Sequence, residues 1–321
     1  MLALIVLIMI VFAVVDRHYL GFNPIRKLPP QLDAYYGLRL ALCILLGWAL
    51  ASTPNWSNYQ NPASNDSQRI GHGSARLAAF VLALFLISPE ALFQLAVEDS
   101  LIEWVSFACL FLAFAIFLSV IPRTTSPLER GFLILMGLLA FLIAMEEISW
   151  FQRVIDVETP EVFLDNDQKE TNFHNYWTYE SEIAYYTLSA LFLMHLPFVL
   201  ACAPRLSDRK IFRLLPSIPT AFPAIVAAGL TYNMWNTLPI QITFWCGVFL
   251  LFTLARHDPK LRRISLTLLS IVVIAQTAYL LGGHRLVRAH ELSEYRETLI
   301  AMALLVYAWQ VRQGLHPARS D

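Results

Sequence analysis

The chain has 321 residues, of which 57% are hydrophobic and only 15% are charged. An ordinary soluble domain is roughly 45–50% apolar and about 25% charged. This composition therefore excludes a disordered chain and argues against a soluble globular enzyme. With 23 Lys and Arg against 24 Asp and Glu, the chain also lacks the net positive charge that favours nucleic-acid binding. The composition is that of a polytopic membrane protein.

Apolar runs long enough for membrane-spanning helices follow one another along the whole chain. A span needs about 20 largely apolar residues. Ten runs approach that length, at 2–20, 34–52, 76–97, 101–121, 131–149, 181–204, 219–235, 238–255, 264–283 and 298–313. We therefore predict an all-α fold: a polytopic helical membrane bundle of about ten transmembrane helices, forming one domain over residues 1–321.

Two of these runs carry further expectations. No basic residue precedes the apolar stretch from Leu2 to Val15, and no small-x-small cleavage site follows it. We therefore expect a retained first span that ends near Leu20 rather than a cleaved signal peptide. In the third run, Pro89 is expected to kink the helix rather than end it, because membrane helices tolerate proline.

The positive charges of the loops predict the orientation of the bundle. Lys and Arg favour the cytoplasmic side, and four of them lie in each of the loops 205–213 and 256–263. Placing both loops inside puts both termini in the cytoplasm and the segments 150–180 and 284–297 on the outer face. Most Asp and Glu residues then gather at that outer face, which suggests that carboxylates have a function there.

Two adjacent glutamates, Glu146 and Glu147, lie near the end of the fifth apolar run. On a helix their side chains point about 100° apart, so at least one should face the protein interior. Burial raises the pKa of a carboxyl group, and a neighbouring cation or metal lowers it. Carboxyl groups under both influences suit acid–base catalysis or metal binding. The alternative is an ion pair with Arg153 or with another arginine of the outer loops.

The segment 150–180 is longer than most loops of compact proteins. We expect it to form a short helix or a re-entrant element packed on the outer face of the bundle. If the segment is helical, Asn166, Glu170 and His174 share one face at i, i+4 and i+8. The Glu170–His174 spacing would suit two ligands of one metal ion. The alternative is a capped surface helix.

A further group precedes the last apolar run, where His290, Glu294 and Glu297 fall at i, i+4 and i+7. Arg285, Arg288 and Arg296 are interleaved in this segment, so the alternative is an exposed, ion-paired start of a helix. If these segments meet, they form a mixed site of histidines and carboxylates that would suit Zn²⁺, Mn²⁺ or Fe²⁺. The candidate metal ligands are Glu147, Glu170, His174, His290 and Glu294, and the candidate catalytic residues are Glu146, Glu147, Glu170 and His174.

The stretch from Glu98 to Asn175 carries several specific motifs. They are Glu98-Asp99-x-x-x-Glu103-Trp104, Glu146-Glu147-Ile148-Ser149-Trp150-x-Gln152-Arg153, Glu158-Thr159-Pro160-Glu161 and Gln168-x-Glu170-Thr171-Asn172-x-His174-Asn175. In these motifs the chain resembles an uncharacterised family of bacterial polytopic membrane proteins, which implies a location in the bacterial inner membrane. A looser analogy links it to the membrane hydrolases that include alkaline ceramidases, which hold a zinc near one membrane face. The chain departs from them because it has no HxxxH in a late helix and is predicted to have about ten spans rather than seven.

Three functions fit these features. The first is a metal-dependent hydrolase or transferase that acts on a lipid or a lipid-linked substrate, with the candidate residues as ligands or as acid and base. The second is a membrane subunit or assembly factor, without enzymatic activity, that docks a protein partner through its acidic outer face. The third is an ion-coupled transporter, although transport would require charge at mid-membrane depth and the acids gather at one end.

Overall fold

The structure is a computed structural model. It describes residues 7–8, 10–11, 14–15, 34–61, 64–97, 100–166, 169, 171–173, 176–203 and 210–315. Over these residues the chain is a bundle of helices, and no strand occurs among them. The α-helices are α1 Ala34–Ala51, α2 Ser64–Ile87, α3 Pro89–Ala96, α4 Leu101–Val120, α5 Pro127–Glu147, α6 Thr178–Ser189, α7 Leu196–Ala201, α8 Ile218–Ala228, α9 Leu238–His257, α10 Arg262–Gly282 and α11 Glu291–Gly314.

Shorter helical elements complete the described part of the chain. A π-helical segment, Ala190–His195, joins α6 to α7 without a break in the helix. The 3-10 helices are Trp56–Asn58, Ile121–Arg123, Ser149–Phe151, Glu161–Phe163, Lys210–Leu214 and Gly283–Arg285. Most buried apolar residues from Cys43 to Leu315 form one core between the helices, and Leu110, Ala144 and Ala301 form a small second cluster.

Seven helices of the described chain are long and apolar enough to cross a membrane. They cover Tyr36–Asn58, Asn65–Ile87, Leu101–Arg123, Pro127–Glu147, Thr178–Ala201, Leu238–His257 and Arg262–Arg285. Large apolar side chains on their outer surfaces expose more than half of their area, among them Leu45, Trp48 and Leu281. Such surfaces suit contact with lipid, and the fold is that of a helical membrane protein.

The predicted count of about ten spans is too high. The run 2–20 lies mostly outside the described residues. The run 219–235 forms only α8, whose eleven residues are too short to cross a bilayer. The run 298–313 lies within α11, which is long enough but is not among the helices of membrane-like composition because its ends carry charged and polar residues.

The prediction that Pro89 kinks one continuous helix is also wrong, because the helix ends before it. α2 stops at Ile87, and Ser88 leaves the helical conformation with φ −149° and ψ 84°. The Ser88 hydroxyl accepts a hydrogen bond from the backbone N–H of Ala91 at 3.2 Å. Since Ser88 supplies this N-cap and Pro89 needs no N–H partner, a new helix, α3, begins there.

Candidate functional site

Four helix ends meet at one end of the bundle and bring five glutamates together. α4, α6 and α11 begin there, and α5 ends there. The charge of Glu147 acts on Glu294, and both carboxyl groups are affected by Glu103 and Glu297. Glu182 acts on Glu294 as well. We call these five residues the carboxylate cluster, and the end of the bundle that holds them the cluster end.

Hydrogen bonds between helices hold this arrangement. The hydroxyl of Ser106 in α4 donates to Oγ1 of Thr298 in α11 at 3.1 Å. The hydroxyl of Tyr186 in α6 donates to Oε1 of Glu297 in α11. Ser106, Tyr186 and Thr298 are all buried, so polar contacts inside the bundle fix three of the four helices next to the cluster.

The glutamates of the cluster are half-buried and differ in their helical context. Glu103 and Glu294 lie in the first turns of α4 and α11, where the helix dipole favours a negative charge. Glu147 is the last residue of α5, where the dipole disfavours one. The helix dipoles therefore stabilise a negative charge on Glu103 and Glu294 and destabilise one on Glu147.

Glu294 shows the electrostatic consequence of this crowding. Burial raises the pKa of its carboxyl group well above the usual value of 4.5, and the charges of Glu297, Glu147, Glu103 and Glu182 raise it further. Two carboxylates that share a poorly solvated site interact too strongly for both to ionise readily. The cluster is therefore suited to hold protons as well as negative charge.

One arginine lies among these acids. Arg296 is only 2% exposed, and its guanidinium carbon lies 4.1 Å from the centroid of the Tyr186 ring. Burial lowers the pKa of Arg296 to about 10, so the side chain keeps its charge at neutral pH. Glu182 and Glu297 favour that charge electrostatically. The site thus combines half-buried carboxyl groups with a fully buried cation.

The two adjacent glutamates of the sequence motif face different parts of the molecule. Glu147 belongs to the carboxylate cluster. The Oε1 atom of Glu146 accepts a hydrogen bond from Nε1 of Trp150 at 2.8 Å, and its Oε2 atom accepts one from the backbone N–H of Phe173 at 2.8 Å. Glu146 therefore fixes the segment after α5 instead of joining the cluster.

The segment after α5 folds back on itself through side-chain hydrogen bonds. Nε2 of Gln152 donates to Oγ1 of Thr159 at 2.7 Å, and Oε1 of Gln152 accepts from both the N–H and the hydroxyl of Thr171 at 2.7 Å. Nδ2 of Asn172 donates to Oγ of Ser149 at 3.0 Å. The polar residues of the sequence motifs thus form the framework of this segment.

A left-handed turn connects this segment to α5. Ser149, Trp150 and Phe151 have φ angles of 48°, 55° and 61°. Each non-glycine residue in this conformation costs roughly 1–2 kcal/mol. Such backbone strain persists only where the surroundings fix it, and it is concentrated at functional sites. Here the turn begins two residues after Glu147, at Ser149.

The predicted site residues are only partly brought together. Glu147 and Glu294 meet in the carboxylate cluster, whereas His290 is an exposed residue just before α11. Glu170 and His174 lie outside the described residues, so their predicted approach to Glu146 or Glu147 stays a prediction. Within the described chain, no group of three or more His, Cys, Asp or Glu residues is arranged to hold a metal ion. Because Glu170 and His174 lie outside the described residues, the predicted metal site stays a prediction.

Sequence reasoning missed several members of the site. Glu182 and Tyr186 were not candidates, although an acid four residues into an apolar helix is a signal that could have identified Glu182. The interpretation of Arg296 as part of an exposed helix start is wrong, since the residue is buried. Its spacing from Glu294 and Glu297 did not show that α6 covers this face of α11.

Comparisons with known proteins identified no related protein. No protein-family description matches the sequence, and no curated protein or solved structure is significantly similar to the chain.

Proposed function

We propose that the chain is a membrane-embedded hydrolase or transferase that acts on a lipid or a lipid-linked substrate, with the carboxylate cluster as its acid–base site. One observation carries this proposal: the charge of Glu147, the last residue of α5, acts on the carboxyl group of Glu294 in the first turn of α11. The proposal includes a bacterial inner membrane, cytoplasmic termini and a site at the outer face. The resemblance to uncharacterised bacterial membrane proteins accords with it.

The chemistry follows from the coupling of the two carboxyl groups. When two carboxyl groups share one proton, one of them can donate it while the other accepts a proton from a nucleophile. Their titration then belongs to the pair and not to either residue. Positioned groups of this kind typically accelerate proton transfer by 10²–10⁴-fold. Glu147 and Glu294 would thus serve as general acid and general base.

The position of the cluster supports a lipid-derived substrate. Glu147 ends one membrane-spanning helix, and Glu103 lies in the first turn of another. Groups at the ends of such helices lie near the boundary between the hydrocarbon and the headgroups. A lipid headgroup could reach the half-buried carboxyl groups there without leaving the membrane.

The decisive experiment measures turnover in a defined membrane. The full chain is reconstituted in nanodiscs with a bacterial polar lipid extract, and lipid products are followed by mass spectrometry. We expect Glu147→Gln and Glu294→Gln each to lower product formation at least 100-fold. Glu158→Gln, an exposed change outside the cluster, should leave it unchanged.

Two other outcomes would overturn the enzymatic proposal. If the wild-type chain forms no product but a co-purifying protein is lost in the Glu147→Gln variant, the cluster is part of a docking surface. If the wild type forms no product but takes up protons together with a cation in liposomes, the chain is a transporter.

A further inference from the structure

The buried guanidinium of Arg296 has hydrogen-bond donors that the described protein does not use. Its Nε and Nη1 atoms are buried and have no hydrogen-bond partner among the described residues, and the residue is 2% exposed. A guanidinium has five N–H donors and cannot accept a hydrogen bond. Leaving such donors unpaired inside a protein is costly. A ligand that fills this place must therefore offer acceptor atoms.

The surroundings orient this group towards the carboxylate cluster. One face of the guanidinium lies against the Tyr186 ring, and the hydroxyl of that ring is held by Glu297. The carboxylates that act electrostatically on the guanidinium are those of Glu182 and Glu297. The plane of the guanidinium is thus fixed by stacking, which leaves its N–H edges to recognise a ligand.

An oxyanion is the chemical group that this arrangement fits best. Arginine pairs with carboxylate or phosphate through parallel N–H···O bonds, and a fixed guanidinium loses little freedom when they form. An ammonium group or a metal ion has no acceptor to offer Arg296. Phosphate fits the proposed lipid substrate better than carboxylate, because the headgroup at the membrane boundary is most often a phosphate ester.

We propose that Arg296 binds the phosphate group of the substrate, which makes the substrate class a phosphate-bearing lipid or a phosphate released from one. This inference rests on the proposed function, since it places the ligand at the same site. Arg296 would hold the phosphate beside Glu182 and Glu297, and the proton exchange would stay with the other members of the carboxylate cluster.

The charges around Arg296 predict how binding depends on pH. The groups that act on it are Glu182 and Tyr186 of α6 and Glu297 of α11. Glu297 in turn acts on Glu147 of α5 and on Glu294, and so does Glu103 of α4. An anion that enters among several carboxylates is repelled unless some of them are protonated. Phosphate binding should therefore take up protons and become tighter as the pH falls.

The test measures binding by titration calorimetry with the purified full chain in detergent. The probes are short-chain phosphatidic acid, the matching diacylglycerol and inorganic phosphate. We expect phosphatidic acid to bind at least tenfold more tightly than diacylglycerol, with proton uptake seen as a difference in heat between two buffers. If inorganic phosphate binds as tightly as phosphatidic acid, the ligand is the free ion; weaker binding identifies the lipid.

Variants separate recognition by Arg296 from general charge. Arg296→Gln should weaken binding of phosphatidic acid at least tenfold, and Arg296→Lys should recover part of it because the charge remains. Arg288→Gln, which removes an exposed arginine stacked 5.1 Å from the Phe93 ring, should change it less than twofold. Size-exclusion chromatography checks that each variant is folded. If Arg296→Gln does not fold, proton uptake by the wild-type protein on binding tests the proposal instead.

Two results would overturn this inference. One is wild-type protein that binds diacylglycerol and phosphatidic acid equally, and the other is Arg296→Gln protein that binds like the wild type. If either occurs while turnover still requires Glu147, the phosphate inference fails and the proposed function stands. If phosphate binding requires Arg296 but turnover does not require Glu147 or Glu294, the proposed function fails alone.

Discussion

Nη2 of Arg213 lies 3.2 Å from both carboxylate oxygens of Glu129. The pair joins the 3-10 helix Lys210–Leu214 to the first turn of α5. Glu129 is eighteen residues from Glu147 along the same helix, a rise of about 27 Å. α5 therefore carries a paired carboxylate at one end and the crowded carboxylate cluster at the other. Breaking the pair should lower the stability of the protein, whereas neutralising a glutamate of the cluster should raise it.

The Glu129–Arg213 pair should respond asymmetrically to loss of either partner. The Glu129 side chain is 3% exposed and that of Arg213 is 41% exposed. Arg213→Ala leaves the buried carboxylate of Glu129 without its ion-pair partner and should lower the free energy of unfolding by about 2 kcal/mol. Glu129→Gln leaves an arginine that can turn to solvent and should cost less than about 1 kcal/mol. Chemical denaturation in detergent compares them, and equal losses would contradict the asymmetry.

Two glycines of α1 should differ sharply in their tolerance of a methyl group. A Cβ on Gly47 would lie 2.6 Å from Cβ of Trp245 and 2.9 Å from the backbone nitrogen of Cys246, both in α9. Gly47→Ala should therefore cost about 2 kcal/mol or more. Gly37 has nothing within 4 Å of such a Cβ, so Gly37→Ala should gain up to about 1 kcal/mol of helix propensity. Thermal unfolding of both variants tests the packing of α1 on α9.

The stability of the protein should depend on pH through Glu294. The folded-state pKa of Glu294 is raised above 4.5, so the folded state binds a proton that the unfolded state releases. The contribution of Glu294 to the free energy of unfolding is therefore complete below about pH 4.5 and is lost as the pH rises through the pKa of the folded state. Glu294→Gln should gain about 1 kcal/mol or more on the wild type between pH 4.5 and 7. Glu161→Gln, a change at an exposed glutamate, should show the same dependence of stability on pH as the wild type. If Glu294→Gln also runs parallel to the wild type across this pH range, the prediction is wrong.

Gln152 should control the order of the segment after α5. Gln152→Ala removes its hydrogen bonds to Thr159 and Thr171, and each such bond contributes about 1 kcal/mol. The amide of Thr171 should then exchange about five to ten times faster with solvent deuterium. Exchange at Thr220, whose N–H is bonded within the core, should not change. Equal exchange at Thr171 in the variant and the wild type would show that other contacts hold the segment.

Most of the fold could be predicted from hydrophobicity alone. Seven of the ten apolar runs correspond to the seven helices of membrane-spanning length and composition, since a long apolar run has few alternatives in a bilayer. The errors arose where neighbours decide the structure. α8 is apolar but short, and its surroundings in the bundle are not visible in its own residues. Ser88 ends α2 through a local cap that hydropathy does not register.

The site was predictable only in part, for a related reason. The sequence identified Glu147 and Glu294 because acids next to apolar runs are conspicuous. It could not show that Glu146 and Glu147 diverge to different partners, nor that Arg296 is enclosed by α6. Which helices face each other depends on packing between segments that are more than a hundred residues apart, such as Tyr186 and Glu297.

The shortness of α8 constrains the order in which this protein can be assembled. Its eleven buried residues rise only about 16 Å, and the irregular backbone at 229–237 that follows is costly to expose to lipid. The carbonyls of Thr231 and Trp235 there accept hydrogen bonds from Gln276 at 2.8 Å and Gln241 at 2.6 Å, which lie in the later helices α10 and α9. During synthesis, α8 must therefore stay out of the lipid until the chain has passed Gln276. α8 then inserts against α9, and α11, which also packs against α8, follows later in the chain.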